Sequence, residues 1–168
     1  MDNSSNRQKL IEMARSFRTA MVTTRGLDGT PHARPMSVAR IDDNGAMWFA
    51  TGVHSAKFSE IEANSQTAVV MQSGLRFAAF SGIAEGVVDR QLTRMLWREA
   101  WRPWFPGGPT DPELKLMCVH LTHGEYWDLS GLRGVRYAVE AIRHALAGKR
   151  MSDDANDDRH GVADFVPA

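Results

Sequence analysis

Three residues with phosphate-binding chemistry surround one predicted strand–helix junction. Arg34 lies in a predicted strand, and Ser55 and Lys57 open a predicted helix that follows a second strand. The first backbone N–H groups of a helix lack acceptors, and the helix dipole favours negative charge there. A lysine ammonium and a planar guanidinium add fixed positive charge. The pattern predicts a phosphate cradle formed by Arg34, Thr51, Ser55 and Lys57. The alternative is that the two cations are ordinary surface charges and that Ser55 is only a helix cap.

Two strands and a helix would position this cradle. The first strand covers 31–41, and Asn44-Gly45 is typical of a hairpin turn because it supplies positive φ angles. The second strand covers 47–51. The helix covers 56–63, with Ser55 as its N-cap and Asn64 at its end. We therefore expect the cradle where a β-hairpin passes into a short helix.

The rest of the sequence alternates short strands with a few helices. Asn3 to Asn6 offer caps for a first helix, and Asp89 caps a helix from 90 to about 101. Ser81-Gly82 predicts a bulge in a long strand. The predicted strands cover 19–24, 31–41, 47–51, 67–72, 76–88, 116–121 and 125–129, with a turn at 122–124 between the last two. This order favours a mainly β fold with α additions, arranged as a small antiparallel barrel.

Several motifs resemble one family. They are Arg34-Pro35-Met36, Trp48-Phe49-Ala50-Thr51, Ser55-Ala56-Lys57, the run from Trp101 to Gly108 with Asp111-Pro112, and Glu125-Tyr126-Trp127-Asp128. Together they resemble the pyridoxamine 5'-phosphate oxidase-like, FMN-binding split-barrel proteins, and in particular the branch called general stress protein 26. The resemblance spans 10–129. It implies an antiparallel, six-to-seven-stranded Greek-key split barrel of the FMN-binding type.

The resemblance also implies the cofactor and its contacts. Arg34, Thr51, Ser55 and Lys57 would hold the phosphate and edge of FMN. The flavin would lie in a cleft between the two subunits of a homodimer. Further cofactor contacts implied by the family pattern are Pro35, Met36, Ser37, Phe49, Ala50 and Gln72, together with Trp104 and Phe105 from the partner chain. Two interpretations of Trp104 and Phe105 stay open, namely packing alone and packing combined with a flavin wall.

The implied function is that of an FMN-binding homodimeric flavoprotein with oxidoreductase activity, with a role in stress response. The catalytic residues, the substrate, and the small-molecule electron donor and acceptor are not identified by the sequence. One alternative is a flavin-binding or carrier stress protein without turnover. Another is a split barrel that binds a deazaflavin or haem. Pyridoxamine phosphate oxidation itself is not expected, because the arginine-rich motifs that such enzymes carry after the barrel are not visible.

Composition sets the remaining expectations. The formal net charge of zero gives no support for nucleic-acid binding, and no apolar run approaches the ~20 residues of a membrane helix. The polar amino terminus shows no secretory signal, and the single cysteine, Cys118, suits a reducing cytoplasm. His120 and His123 would point to opposite faces of a strand, so no metal site is predicted. We expect a barrel domain over 1–132, an amphipathic helix over 133–150 and a mobile acidic tail over 151–168.

Overall fold

A computed structural model of the chain describes residues 3–130, Arg143, Leu146 and 160–165. The helices are α1 (Asn3–Arg15), α2 (Ala56–Ala63) and α3 (Arg90–Leu96), and short 3-10 turns cover Glu99–Trp101 and Gly108–Thr110. The strands are β1 (Thr19–Arg25), β2 (Pro31–Ile41), β3 (Ala46–Gly52), β4 (Gln66–Ser73), β5 (Arg76–Val87), β6 (Leu114–Asp128) and β7 (His160–Asp164). The helix predicted over 133–150 lies outside the described residues, except for Arg143 and Leu146, which are helical.

Six of the strands close an antiparallel barrel. The strand order is β3-β2-β1-β4-β5-β6-β7, and β3 also pairs with β6, which closes the ring. β3 uses the first half of β6, up to His120, and β7 pairs with its second half, from His123 to Trp127. The prediction of a mainly β, six-to-seven-stranded antiparallel barrel is confirmed. No helix in the described part of the chain is both long enough and apolar enough to cross a membrane.

Strand alternation divides the apolar residues between two clusters. Inward-facing side chains such as Val22, Phe49, Val69 and Val119 form the barrel core, which α1 covers at one end with Leu10, Ile11 and Ala14. A second cluster lies outside the barrel, where Leu92 and Leu96 of α3, Trp101 and Phe105 pack against Ala39 and Leu116. The predicted apolar stripe of the first helix is therefore confirmed, since its residues are buried.

The hairpin and helix predicted to position the cradle are present. β2 and β3 pair through the turn at Asp42–Gly45, where Gly45 has a φ of 86°. No described residue other than glycine has a positive φ, so Asn44 does not share that role. Asp89 caps α3 by accepting a hydrogen bond from the Leu92 amide at 2.9 Å. The β5–β6 register shifts between Ser81 and Gly82, where the prediction placed a bulge, but the extra residue is Thr122 of β6, since β5 pairs with β4 without interruption there.

Three element predictions need correction. β6 is one continuous strand, because Gly124 permits close approach of Leu10 and Phe80 and does not make a turn. α3 ends at Leu96, where Trp97 adopts an extended conformation and its ring meets Trp101 edge-on at 5.9 Å. The mobile-tail prediction is wrong for 160–165, because these residues form β7 and the buried Phe165 that follows it.

Candidate functional site

The end of the barrel next to α2 collects charged side chains around one buried carboxylate. Glu60 of α2 is only 4% exposed. It binds Arg34 of β2 through a 2.8 Å ion pair and accepts a hydrogen bond from the Thr24 hydroxyl. Its other oxygen contacts His32 Nδ1 at 2.8 Å. Arg34 is thus held from one side by a residue that the sequence analysis did not include.

The Glu60 network keeps this carboxylate ionised. Burial on its own raises the pKa of Glu60, because it disfavours the charged form. The hydrogen bonds from His32, Thr24 and Arg34, and the positive charge of Arg34, more than offset burial and hold the pKa at about 2. Glu60 therefore carries a negative charge across the physiological range and fixes the guanidinium of Arg34.

Lys57 is partly buried on α2, on the same helix as Glu60. Its ammonium donates a 2.6 Å hydrogen bond to the Ser55 hydroxyl. Burial, followed by the like charge of Arg34, lowers the pKa of Lys57, and Glu60 only partly opposes this effect. The positive charge of Arg34 is thus the second of two causes that disfavour the Lys57 ammonium. An anion between the two cations would offset that effect.

The start of α2 leaves backbone donors for such an anion. Ser55 occupies the predicted N-cap position, but its side chain makes no capping hydrogen bond. The hydroxyl is instead the acceptor for Lys57. The Phe58 amide donates to the Ser55 carbonyl at 3.0 Å, so the amides of Ala56 and Lys57 are the first-turn donors that the N-cap side chain leaves unsatisfied.

Arg34 provides the direct test of whether an anion fits. Its Nη2 binds Glu60, whereas its Nη1 is buried and has no hydrogen-bond partner in the described part of the chain. A buried donor without a partner carries a desolvation cost of about 1–3 kcal/mol. A phosphate oxygen at this position would satisfy Nη1, so the residues present fit an anionic group.

Other predicted contacts occupy different positions on the barrel. The side chains of Met36 and Phe49 are buried in the barrel core, so only their backbone atoms are available to a cofactor. Ala50 packs against the outer cluster around Leu116. Thr51 is buried where β3 ends, just before the loop to α2. Thr51 is therefore the one predicted cradle residue that lies on β3.

The outer face of β1, β2, β4 and β5 holds a second group of predicted contacts. Pro35 and Ser37 face outward on β2, and Gln72 faces outward on β4. Strand pairing aligns Pro35 with Met21, and Met21 with Val70. Met21, Val70 and Ile83 are each exposed by about two fifths of their surface, at 42%, 45% and 42%. This outer face therefore presents exposed apolar side chains beside polar ones.

A cleft of about 510 Å³ opens on the same outer face. It is lined by side chains that include Thr24, the hydroxyl donor to Glu60, and Ile83. None of its described lining residues is aromatic. This cleft therefore has no aromatic wall of its own, and the aromatic residue that β5 places opposite Gln72 on the outer face is the partly buried Phe77.

Trp104 and Phe105 differ in what they can contact. Phe105 is buried in the outer cluster, so its ring is committed to packing within the chain. Trp104 is 73% exposed. Of the two predicted wall residues, only Trp104 is exposed enough to contact a ligand. Within the described part of the chain, it makes no hydrogen bond or ring contact with the cradle residues.

Sequence reasoning missed Glu60 and His32. Alternation along β2 places His32 on the same face as Arg34, and Glu60 lies three residues after Lys57 on α2. Both spacings are visible in the sequence. The sequence does not show, however, that the packing of α2 points Glu60 towards β1 and β2 and not towards solvent.

The chain is similar in sequence to one family of known proteins. The sequence model described as "pyridoxamine 5'-phosphate oxidase like" matches residues 5–153. No protein with a curated description matches the sequence.

Solved structures with the same architecture come from several bacteria. A protein provisionally called general stress protein 26 from Jannaschia sp. CCS1 has a TM-score of 0.71 and 22% identity, covering 98% of this chain and 100% of that one. A protein related to general stress protein 26 from Clostridium acetobutylicum has a TM-score of 0.65 and 22% identity, with 76% and 90% covered. A general stress FMN/FAD binding protein from Xanthomonas citri has a TM-score of 0.63 and 29% identity, with 76% and 95% covered.

Proposed function

Because the chain belongs to the pyridoxamine 5'-phosphate oxidase-like family, we propose that it binds FMN as a homodimer and acts as an FMN-dependent oxidoreductase in the cytoplasm. The observation that carries the proposal is the buried, unpartnered Nη1 of Arg34 beside Lys57. The name of the Xanthomonas citri relative, which binds FMN or FAD, supports a flavin. The names of the similar structures also support a role in stress response.

The cradle favours a terminal phosphate as the group that is bound. The phosphate of FMN is a monoester that approaches two negative charges at neutral pH, and Arg34 and Lys57 oppose it with two positive ones. The amides at the start of α2 would add N–H donors. Thr51 lies at the end of β3, just before the loop that leads to α2. FAD would bring a pyrophosphate and an adenosine to the same place, so we propose FMN.

The flavin ring would lie on the outer face of β1, β2, β4 and β5. Pro35, Ser37 and Gln72 would contact it there, together with backbone atoms around Met36. A second copy of the chain would cover the exposed side chains of Met21 and Val70 and bring its own Trp104 as an aromatic wall. Large exposed aromatic and apolar residues of this kind are enriched at protein interfaces.

When it is bound, the flavin supplies the electron-transfer chemistry, and the chain supplies binding and orientation. Arg34, Lys57 and Ser55 hold the phosphate, and Glu60 holds Arg34 in position. Covering the outer face excludes water from the ring. No described side chain is assigned a role in proton transfer.

The proposal is tested on the purified full-length chain. After reconstitution with excess FMN and gel filtration, we expect one FMN per chain, identified by chromatography of the released cofactor. Anaerobic NADH or NADPH should then bleach the flavin absorption. Retention without bleaching by either donor would support the carrier alternative, and a Soret band or failure to retain any flavin would contradict the proposal.

A further inference from the structure

A group of three potential metal ligands lies on the outside of the barrel, apart from the cradle residues. β5 and β6 pair with Glu85 opposite Cys118, and His120 follows two residues later on the same face of β6. Met117 and Val119, which alternate with them, point into the barrel core. The ligating atoms of Glu85, Cys118 and His120 all lie within 4.8 Å of one another. We propose that these three side chains form a binding site for Zn²⁺, with one coordination position open to solvent.

The spacing of the three side chains suits a zinc ion. Zinc binds thiolate sulfur at about 2.3 Å, and imidazole nitrogen and carboxylate oxygen at about 2.0–2.2 Å. Ligands around one tetrahedral ion are therefore on the order of 3–4 Å apart. His120 Nε2 and Glu85 Oε1 are 2.8 Å apart without an ion, so a small side-chain rotation would admit one between them.

Charge and ligand softness also favour zinc. Binding of Zn²⁺ would displace the proton of the Cys118 thiol to solvent, and the resulting thiolate and the carboxylate would balance the two positive charges of the ion, with the imidazole as a neutral ligand. Asp42 does not join the group, since its carboxylate is bound by Arg40 and by the Trp48 indole N–H at 2.8 Å. Mg²⁺ and Ca²⁺ prefer sites made only of oxygen ligands, so a set of one sulfur, one nitrogen and one oxygen does not suit them.

Exposure sets the character of the site. Cys118 is fully buried, whereas the side chains of His120 and Glu85 are 53% and 58% exposed. An ion would thus approach from solvent between His120 and Glu85 and meet the sulfur beneath them. Three protein ligands with one open position are typical of zinc sites that exchange a water or a small ligand.

The histidines alone predicted no metal site, because His120 and His123 would point to opposite faces of a strand. His123 does lie apart from the group, where it pairs with Asp164 at 2.8 Å. The third ligand comes from β5, and only strand pairing brings Glu85 to Cys118. The alternative is that Glu85 and His120 form an ordinary surface ion pair above a buried thiol.

Cobalt titration of the reduced, metal-free full-length chain separates these interpretations. Co²⁺ bound to a thiolate gives a charge-transfer absorption, and Cys118 is the only cysteine, so that signal reports this site alone. We expect one Co²⁺ per chain with this absorption, and its displacement by Zn²⁺. Cys118→Ser should abolish the absorption and weaken Zn²⁺ binding by about a hundredfold or more.

Two further variants keep the test independent of any folding defect at the buried cysteine. Glu85→Gln alters an exposed side chain and should weaken Zn²⁺ binding at least about tenfold. His54→Asn is the matched control, because His54 also contacts a carboxylate, that of Glu113 at 3.6 Å, with no cysteine beside it. It should leave the affinity unchanged.

The proposal is overturned if Co²⁺ binding produces no thiolate absorption, or if wild type and Glu85→Gln bind Zn²⁺ equally well. The FMN affinity of Glu85→Gln, measured without added metal, should equal that of wild type. A failure of the zinc site therefore leaves the flavin proposal untouched, and the reverse also holds.

Discussion

The two terminal nitrogens of the Arg34 guanidinium have different surroundings. Nη2 binds the buried carboxylate of Glu60, and Nη1 has no partner among the described residues. A carboxylate at an anion site would ordinarily repel the ligand. Here Glu60 orients the guanidinium, and its charge is matched by hydrogen bonds from His32, Thr24 and Arg34. Because Glu60 fixes the guanidinium, it also fixes the position at which a phosphate oxygen would accept a hydrogen bond from Nη1.

The low pKa of Glu60 leads to a pH-dependent stability prediction. The pKa of about 2 in the folded chain lies below the ordinary value of 4.5, so the carboxylate stabilises the fold above pH 4.5. This contribution is lost as the pH falls through the folded pKa. We expect Glu60→Gln to lower the free energy of unfolding by about 1–3 kcal/mol at pH 7, because Arg34 loses its charged partner.

Urea unfolding at pH 7 and at pH 3 measures this effect. The difference in the free energy of unfolding between Glu60→Gln and wild type should be smaller at pH 3 than at pH 7. Glu62→Gln, an exposed change on the same helix, is the control and should differ little from wild type at either pH. An equal deficit for Glu60→Gln at both pH values would show that its charge does not stabilise the fold.

At the scale of elements, β7 ties the end of the described chain to its beginning. Asn3 of α1 exchanges two hydrogen bonds with the backbone of Asp164, at 2.9 and 3.1 Å. Phe165 is buried beside Gly45, where any side chain would collide with its ring, and Arg7 lies 5.1 Å above that ring. Gly45 thus serves both the hairpin turn and the packing of Phe165.

Removing the Phe165 ring tests whether β7 is part of the cooperative fold. Phe165→Ala should lower the free energy of unfolding by about 3–5 kcal/mol, the usual cost of deleting a buried aromatic side chain. Val162→Ala on the same strand is the control, since Val162 is partly exposed and should change stability far less. A loss below about 1 kcal/mol for Phe165→Ala would mean that β7 is not docked in solution.

Local patterns in the sequence predicted the elements whose signals are local. The hairpin with Gly45, the bounds of α2 and the Asp89 cap each depend on residues within a few positions of one another. β6 and β7 depend on distant contacts. Gly124 signals a turn when read alone, yet it permits close packing by Leu10 and Phe80. β7 is short and follows an acidic segment, and it forms because β6 and α1 provide partners.

The candidate site divides in the same way. The proximity of Arg34 to the helix that carries Lys57 was predictable from a hairpin followed by a helix, and the structure joins Arg34 to that helix through the 2.8 Å ion pair with Glu60. Glu60 was not predicted, because a glutamate on a short helix is usually solvent-exposed and its burial depends on how α2 packs. Phe105 looked like a possible cofactor wall, but it fills the outer cluster with Trp101.

At the scale of the whole molecule, the outer face with Met21, Val70 and Ile83 has no cover within the described chain. If a second copy covers this face, a charge there should disrupt both the dimer and the flavin site. We expect Val70→Glu to sediment as a monomer and to lose FMN affinity at least about tenfold, because a buried charge at an interface is costly.

Val88→Glu is the matched control for this change. Val88 is an exposed valine, at 82% against 45% for Val70, and it lies in the loop between β5 and α3, not on a strand of the outer face. It should keep the oligomeric state and the FMN affinity of wild type. A Val70→Glu protein that remained dimeric with unchanged affinity would place the interface elsewhere.

The central claim is that the cradle holds a phosphate, and Lys57→Met tests it without disturbing the fold. Burial and the charge of Arg34 already disfavour the ammonium, as its lowered pKa shows, so the variant should keep the thermal stability of the ligand-free protein. The matched control is Arg94→Met, which removes one positive charge from the exposed side of α3.

The most direct measurement compares the dissociation constants of FMN and riboflavin, which differ only by the phosphate. Wild type and Arg94→Met should prefer FMN on the order of a hundredfold, because charge-assisted hydrogen bonds contribute about 1.5–3 kcal/mol each. In Lys57→Met the preference should fall to about tenfold or less. An equal preference in wild type and Lys57→Met would contradict the account, since the phosphate would then bind without the cradle.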